Sequence, residues 1–177
     1  MLYLIDLQND YFHPDGKFFF PESAEIVDRI LQRISRAKTD GEPILYTLNL
    51  YTGEDERSAE VLRWASSLYE PFRKPLEGHL PLKKLYYGIS AKDADRIRQI
   101  FEEDPPQRIE VAGVATNVCV LANAIIMQNL FPDAEMVVSR SRTRSEDKDL
   151  GEMTYQVMAG ISMNIVESEE DAEDSEA

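Results

Sequence analysis

Residues 109–127 read IEVAGVATNVCVLANAIIM and predict a strand that is followed at once by a helix. The first four residues are mainly apolar and come after two prolines, which is typical of a strand buried on both faces of a parallel sheet. Gly113 allows the sharp turn that must follow, and we expect Thr116 or Asn117 to cap the first amides of the helix. Polar residues interrupt the apolar positions too often for a membrane span, so the segment belongs to the core of a domain.

The only cysteine of the chain, Cys119, falls in the first turn of this predicted helix. Unpaired amides and the positive end of the helix dipole favour a thiolate there, which is the form that a nucleophilic cysteine needs. A free cysteine is also among the most buried residue types. The residues alone therefore leave two interpretations of Cys119, a catalytic nucleophile and a buried structural thiol.

Composition indicates one globular domain with an acidic tail. A chain of 177 residues with 43% hydrophobic residues suits a single domain, which we place at residues 1–166. Residues 167–177 contain seven acidic residues and no basic ones, and we expect them to be disordered. The net charge of -14 disfavours nucleic acid and anionic membranes as partners. A single cysteine and an amino terminus unlike a signal peptide favour a cytoplasmic protein.

Polar side chains are expected at the carboxyl ends of predicted strands. The first strand, residues 2–5, ends at Asp6, and a second strand, residues 43–48, ends just before Asn49. A third strand is predicted at residues 82–87. Because ligands of open α/β sheets bind outside the carboxyl ends of the strands, Asp6 is well placed for function.

Strands and helices alternate along the chain, which predicts an α/β fold with a mainly parallel sheet covered on both faces. Periodic apolar positions support this order between and after the strands already named. Further helices are predicted at residues 22–39, 90–101 and 146–158, and further strands at residues 135–138 and 161–166. Residues 58–69 could form a helix, but the sequence does not determine the structure of residues 52–80.

A basic cluster, Arg140, Arg142 and Arg144, follows a predicted strand. Such a cluster either binds a substrate anion or a neighbouring subunit, or it is a solvated face. The second case is the more common one, with acids such as Glu146 and Asp147 as partners.

Three motifs resemble, in the same order, the signatures of the isochorismatase-like cysteine hydrolases, which include the nicotinamidases. They are DLQNDYF from Asp6, a lysine and an aromatic three residues apart at Lys84 and Tyr87, and AGVATNVCV from Ala112. The resemblance covers everything but the tail, and three motifs at strand ends are more specific than any one of them. It implies a three-layer α/β/α, Rossmann-like fold with a catalytic triad of Asp6, Lys84 and Cys119.

The resemblance also implies hydrolysis of a small-molecule amide through a thioester, and we expect no cofactor. In this mechanism Asp6 accepts the thiol proton of Cys119, and Lys84 holds the resulting anions. A cis peptide bond is implied between Val114 and Ala115, and an oxyanion hole at the amides of Ala115 and Cys119. Homodimers and homotetramers are common in this family.

Two further points bear on the substrate. Tyr11, Tyr51 and Tyr87 are candidates for packing against the acyl group, although each equally suits the core or the surface. Nicotinamidases carry an aspartate and a histidine as metal ligands where this chain has Asn49 and Tyr51, which make a poor divalent site, so we expect no metal. Isochorismatases, the members of this family that cleave a vinyl ether, generally lack the cysteine. The resemblance together with Cys119 therefore favours acyl chemistry. The alternative function is a binding or scaffolding subunit that kept the fold and lost turnover.

Overall fold

The computed structural model describes residues 1–51 and 55–167. Over these residues six parallel strands form one sheet with helices on both faces, which confirms the predicted three-layer α/β/α fold. The strands are β1 Leu2–Ile5, β2 Ile44–Asn49, β3 Leu80–Lys84, β4 Arg108–Val114, β5 Glu135–Arg144 and β6 Asn164–Val166. The helices are α1 Asn9–Phe12, α2 Pro21–Ala24, α3 Val27–Thr39, α4 Ala59–Ala65, α5 Glu70–Arg73, α6 Ala91–Ile100, α7 Leu121–Leu130 and α8 Lys148–Gly160, with a π-helical turn, Thr116–Val120, directly before α7.

The strand order β3-β2-β1-β4-β5-β6 creates a crevice in the middle of the sheet. The chain runs outward from β1 to β3 and then crosses to β4 on the other side of β1, so β1 and β4 are neighbours whose connections leave in opposite directions. Ligands bind at such a switch point in open parallel sheets. Asp6 follows β1 and the Thr116–Val120 turn follows β4, so both lie at this crevice.

The central strand β1 is buried on both faces, as expected for a parallel sheet. Tyr3 and Ile5 pack into a core that includes residues of α6, α7 and α8. Leu2 and Leu4 pack into a second core with residues of α3 and α5. The strand that leads to Asp6 is therefore fixed from both sides.

Some predicted boundaries were wrong. Predicted helix 22–39 is divided into α2 and α3, and β3 starts two residues earlier than predicted and ends at Lys84. The helix after β4 is preceded by Ala115 without a side-chain cap, because Asn117 exchanges hydrogen bonds with Ser145 instead. The predicted acidic tail lies outside the described residues from residue 168 onward. No described helix has both the length and the apolar character needed to cross a membrane.

Gly113 was predicted to form the turn after the strand, and this prediction was wrong. The residue lies within β4 and pairs with Ile5 of β1. Its φ of 124° is in a region that side chains rarely adopt, and the register between β4 and β5 shifts at this point. A Cβ atom on Gly113 would overlap the backbone of Ile5. The glycine is needed here for a close approach of two strands.

We expect Gly113→Ala to lower the free energy of unfolding by about 2–5 kcal/mol, from backbone strain together with steric overlap. Gly41→Ala is the matched control, because Gly41 also has a positive φ, 68°, but no atom within 4 Å of the added Cβ. Its expected cost is about 1–2 kcal/mol. Urea unfolding curves measure both values, and equal losses would contradict the role of close packing at Gly113.

Candidate active site

Asp6, Lys84 and Cys119 lie together at the crevice. The Lys84 Nζ is 2.8 Å from Asp6 Oδ2 and 3.4 Å from the Cys119 Sγ. All three residues are buried, with exposed fractions of 0%, 2% and 6%. A carboxylate, an ammonium and a thiol that share one water-poor space can exchange protons and hold a developing negative charge.

Asp6 is oriented by Thr47, a residue of β2 that the sequence interpretation missed. The Thr47 hydroxyl donates to Asp6 Oδ1 at 2.6 Å and accepts the Asp6 backbone N–H at 3.1 Å. Asp6 has a left-handed backbone, φ 53°, which turns the chain out of β1. The second carboxylate oxygen of Asp6 therefore faces Lys84. A polar residue near the end of a buried strand was the available signal.

Lys84 is the last residue of β3, and its ammonium lies among four acceptors. Besides Asp6 and Cys119 these are the Tyr86 carbonyl at 3.0 Å and Asn49 Oδ1 at 3.4 Å. Gln8 fixes Asn49 by two hydrogen bonds to its backbone, at 2.7 and 2.9 Å. An ammonium has three protons, so the four acceptors compete for them, and only one acceptor, Asp6, is a carboxylate.

Cys119 lies in the π-helical turn Thr116–Val120, just after the peptide bond between Val114 and Ala115. This bond is cis, as the resemblance implied. The Ala115 carbonyl accepts the N–H groups of Val118 and Val120, at 3.1 Å each, and so begins the turn. The fold thereby presents the thiol at the end of β4, facing the end of β1.

Asn123 of α7 connects the backbone of Cys119 to the segment after Lys84. Its Nδ2 donates to the carbonyls of Cys119 at 2.7 Å and Tyr87 at 2.9 Å. Its Oδ1 accepts from the Tyr3 hydroxyl at 3.0 Å and the Ile89 N–H at 3.1 Å. Asn123 is fully buried and uses both of its donors and both acceptor sites. It was not identified from the sequence, where it looked like an interruption of an apolar helix.

The surroundings of Cys119 favour the thiol over the thiolate that its place at the start of the predicted helix led us to expect. Burial and then the Asp6 carboxylate raise the pKa of the Cys119 thiol to about 12, and Lys84 offsets this only in part. A helix dipole contributes only about 0.3–1 kcal/mol near a surface. One pKa unit corresponds to about 1.4 kcal/mol, so the dipole cannot balance the desolvation of a thiolate at this depth.

The three candidate tyrosines differ in position. Burial and then Asp6 raise the pKa of Tyr11, with smaller contributions from Tyr51 and Cys119, so Tyr11 lies within electrostatic range of Asp6 and Cys119. Phe18 stacks between Tyr11 and Tyr51, with ring centres 5.7 and 6.4 Å away. The ring of Tyr87, in contrast, is 65% exposed, and its carbonyl makes the contact with α7. Substrate contact by any of the three stays a prediction.

Arg57 packs against Tyr51, at the end of the group of rings formed by Tyr11, Phe18 and Tyr51. It was not identified from the sequence. Its guanidinium carbon lies 4.6 Å from the centre of the Tyr51 ring. Arg57 Nη1 is 2.7 Å from the buried Asp10 carboxylate, and Nε and Nη2 each donate to Asp55 at 2.9 Å. The Lys17 backbone N–H donates to Asp10 at 2.9 Å, and its ammonium is 3.6 Å from Asp55. Asp10 thereby braces this region.

The basic cluster lies within β5 rather than after a strand. Arg140, Arg142 and Arg144 border a cavity of about 960 Å³, which none of Asp6, Lys84 and Cys119 lines. They pair with acids, as the more common case predicted, but among the contacts described the acids are not Glu146 and Asp147. The partners are Glu152 and Glu167 for Arg140, the buried Glu110 for Arg142, and Glu25 for Arg144.

Comparison with known proteins places the chain in a family. The model of the isochorismatase domain matches residues 1–164. Similar solved structures include a pyrazinamidase of Pyrococcus horikoshii in complex with zinc, at 20% identity and TM-score 0.72, covering 94% of this chain and 97% of that one. A pyrazinamidase/nicotinamidase of Streptococcus mutans has 21% identity and TM-score 0.75, with coverages of 93% and 98%. Yeast nicotinamidase has 17% identity and TM-score 0.76, with coverages of 93% and 98%. A comparison with curated protein sequences finds no match. Because the family model spans nearly the whole chain, the protein belongs to the isochorismatase domain family.

Proposed function

We propose that the protein is a cysteine-dependent hydrolase that cleaves the C–N bond of a small-molecule amide through a thioester on Cys119. The observation that carries this proposal is the buried cluster of Asp6, Lys84 and Cys119, with 2.8 and 3.4 Å contacts to the Lys84 ammonium. Solved structures similar to this chain are named nicotinamidases and pyrazinamidases, which supports a carboxamide as the substrate class.

Acylation begins from a protonated thiol, since the pKa of Cys119 is raised to about 12. Asp6 accepts the thiol proton as the sulfur attacks the substrate carbonyl, and Lys84 holds the negative charge on the sulfur. The protonated Asp6 then gives its proton to the leaving nitrogen, the C–N bond breaks, and ammonia or an amine departs. The acyl group is left on Cys119 as a thioester.

Deacylation uses the same carboxylate. Asp6 accepts a proton from a water molecule whose oxygen attacks the thioester carbonyl. The C–S bond breaks, the Cys119 sulfur recovers the proton, and the acid product leaves. Thr47 keeps Asp6 in place during both steps through its 2.6 Å hydrogen bond.

The negative oxygen of each tetrahedral intermediate needs hydrogen-bond donors. We assign this role to the backbone amides of Ala115 and Cys119, which flank the start of the turn after β4. Loss of one such donor in a comparable site costs about 3–4 kcal/mol of transition-state stabilisation. Tyr11 and Tyr51 would line the pocket on the acyl side, with Tyr87 at its outer edge.

The charge, the single cysteine and the family resemblance bear on the substrate class, the compartment and the assembly of the enzyme. A net charge of -14 supports a small-molecule substrate rather than nucleic acid. A single buried cysteine suits the reducing cytoplasm, and a homodimer or homotetramer is the expected assembly. The tail from residue 167 onward is proposed to be dispensable for turnover.

A screen of small carboxamides, ureido acids and carbamoyl compounds for ammonia release tests the function. We expect turnover of at least one compound, and a mass increase equal to its acyl group on wild-type protein quenched during turnover. Cys119→Ala is the control and should show neither.

The screen also decides between the two candidate functions. Ammonia release that persists in Cys119→Ala would contradict a thioester mechanism. Compounds that bind wild-type protein but never acylate Cys119 would instead favour a binding or scaffolding subunit.

A further inference from the structure

Zinc is present in one similar structure, a pyrazinamidase, which raises the question of whether this chain offers a metal site. The resemblance to the nicotinamidases places Asn49 and Tyr51 where those enzymes carry an aspartate and a histidine as metal ligands. Asn49 Oδ1 already accepts from the Lys84 ammonium at 3.4 Å. The ring of Tyr51 lies against the Arg57 guanidinium, at 4.6 Å, and a phenol is a poor ligand for a divalent metal. These residues do not fit a divalent metal.

A positive charge nevertheless lies beside Tyr51, and it belongs to the guanidinium of Arg57. Two carboxylates hold it, Asp10 through one contact of 2.7 Å and Asp55 through two of 2.9 Å. Such fork-shaped pairing fixes both the position and the plane of a guanidinium. Because Asp10 is fully buried and also accepts the Lys17 N–H, the clamp is anchored in the protein interior.

The guanidinium in turn positions an aromatic wall. Arg57 covers the Tyr51 ring, Tyr51 stacks on Phe18, and Phe18 stacks on Tyr11. A series of ring contacts thus leads from Arg57 to α1, the short helix that follows Asp6. Any shift of Arg57 would be passed to the rings that border the proposed acyl pocket.

We infer that Arg57 is a positioning residue that takes the place of a metal ion. Clamped between Asp10 and Asp55, it holds Tyr51 and the wall in place, so that substrate binding and turnover need no divalent metal. This inference rests on the proposed amide hydrolysis for its substrate, but not for its structural basis.

Metal analysis is the first test, and its measurements of metal content and of Cys119 alkylation need no substrate. Protein purified without a histidine tag is expected to contain far less than one equivalent of zinc, iron or manganese. Treatment with dipicolinate should leave both turnover and the alkylation rate of Cys119 within twofold of the untreated protein. One equivalent of metal whose removal stops turnover, and whose return restores it, would overturn the inference.

Substitution of Arg57 is the second test. In Arg57→Gln we expect KM to rise by about tenfold or more, which corresponds to about 1.4 kcal/mol of lost binding, while kcat changes by less than threefold. Arg57→Lys keeps the charge but not the forked guanidinium, so its KM should lie between those of wild type and Arg57→Gln. The matched control is Arg63→Gln, because Arg63 is exposed on the nearby helix α4. Melting temperatures of all variants show that folded proteins are being compared.

Alkylation of Cys119 separates positioning from general damage. The largest contributions to the pKa of Cys119 come from burial, Asp6 and Lys84, so Arg57→Gln should react with iodoacetamide at nearly the wild-type rate. A wild-type KM in Arg57→Gln would overturn the inference while leaving the proposed function intact. Turnover that survives in Cys119→Ala would instead overturn the proposed thioester mechanism. The metal content would still test whether Arg57 takes the place of a metal ion.

Discussion

Asp6→Asn and Cys119→Ala are each expected to remove nearly all amide turnover. Loss of the nucleophile should lower kcat by about 10⁴-fold or more. Loss of the general base and acid should lower it by roughly 10²- to 10⁴-fold, because proton transfer to the leaving nitrogen fails. Since the two residues act as one unit, the double variant should be scarcely slower than Cys119→Ala alone.

The same substitution at Asp6 is expected to make the thiol more reactive, not less. Asp6 raises the pKa of Cys119, so its neutral replacement should lower that pKa and increase the thiolate fraction at a given pH. Iodoacetamide should therefore modify Asp6→Asn faster than wild type at pH 8. In wild type the rate should rise about tenfold per pH unit from pH 7 to 10, because a pKa of about 12 lies above this window.

Initial rates on the amide found by the screen and stopped alkylation assays measure both effects. Asp28→Asn is the matched control, because Asp28 is exposed on α3, and it should behave as wild type. Near-normal turnover in Asp6→Asn would remove Asp6 from the mechanism. A wild-type alkylation rate that levels off near pH 7 would show that the thiolate is already formed.

The sequence predicted the elements whose signal is local. Residues 2–5 and 109–112 are compact apolar runs beside turns, and they became β1 and most of β4. Asp6 was expected at a strand end on this ground alone. The triad as a set was predicted from the three motifs. No periodicity relates Lys84 to Asp6, 78 positions before it, or to Cys119, 35 positions after it.

The remaining features depend on contacts between distant parts of the chain. In β5, Arg140, Arg142 and Arg144 alternate with serine and threonine, which is a strand pattern that resembled a solvated basic cluster. Arg142 is buried, and Glu110 faces it from β4 at 2.7 Å. Arg57 likewise depends on Asp10, which is 47 residues away. Local patterns carry no information on such partners.

Lys84→Met is expected to damage stability and chemistry together. The side chain keeps a similar length but loses its charge, which leaves the Asp6 carboxylate fully buried without its partner at 2.8 Å. Breaking a buried ion pair in this way costs about 3–5 kcal/mol of unfolding free energy. Turnover should fall by roughly 10²- to 10³-fold as charge stabilisation is lost. Because Lys84 lowers the pKa of Cys119, alkylation should become slower at every pH, opposite to Asp6→Asn.

The double variant Asp6→Asn with Lys84→Met separates these effects. With both charges removed, no uncompensated carboxylate remains, so most of the lost unfolding free energy should return although turnover stays absent. Urea unfolding and alkylation of the four proteins measure the cycle, and Lys83→Met, at an exposed position of β3, is the control for side-chain length. If Lys84→Met were as stable as wild type and its thiol reacted at the wild-type rate, Lys84 would neither balance Asp6 nor act on Cys119. The cluster would then be a packing arrangement rather than a catalytic one.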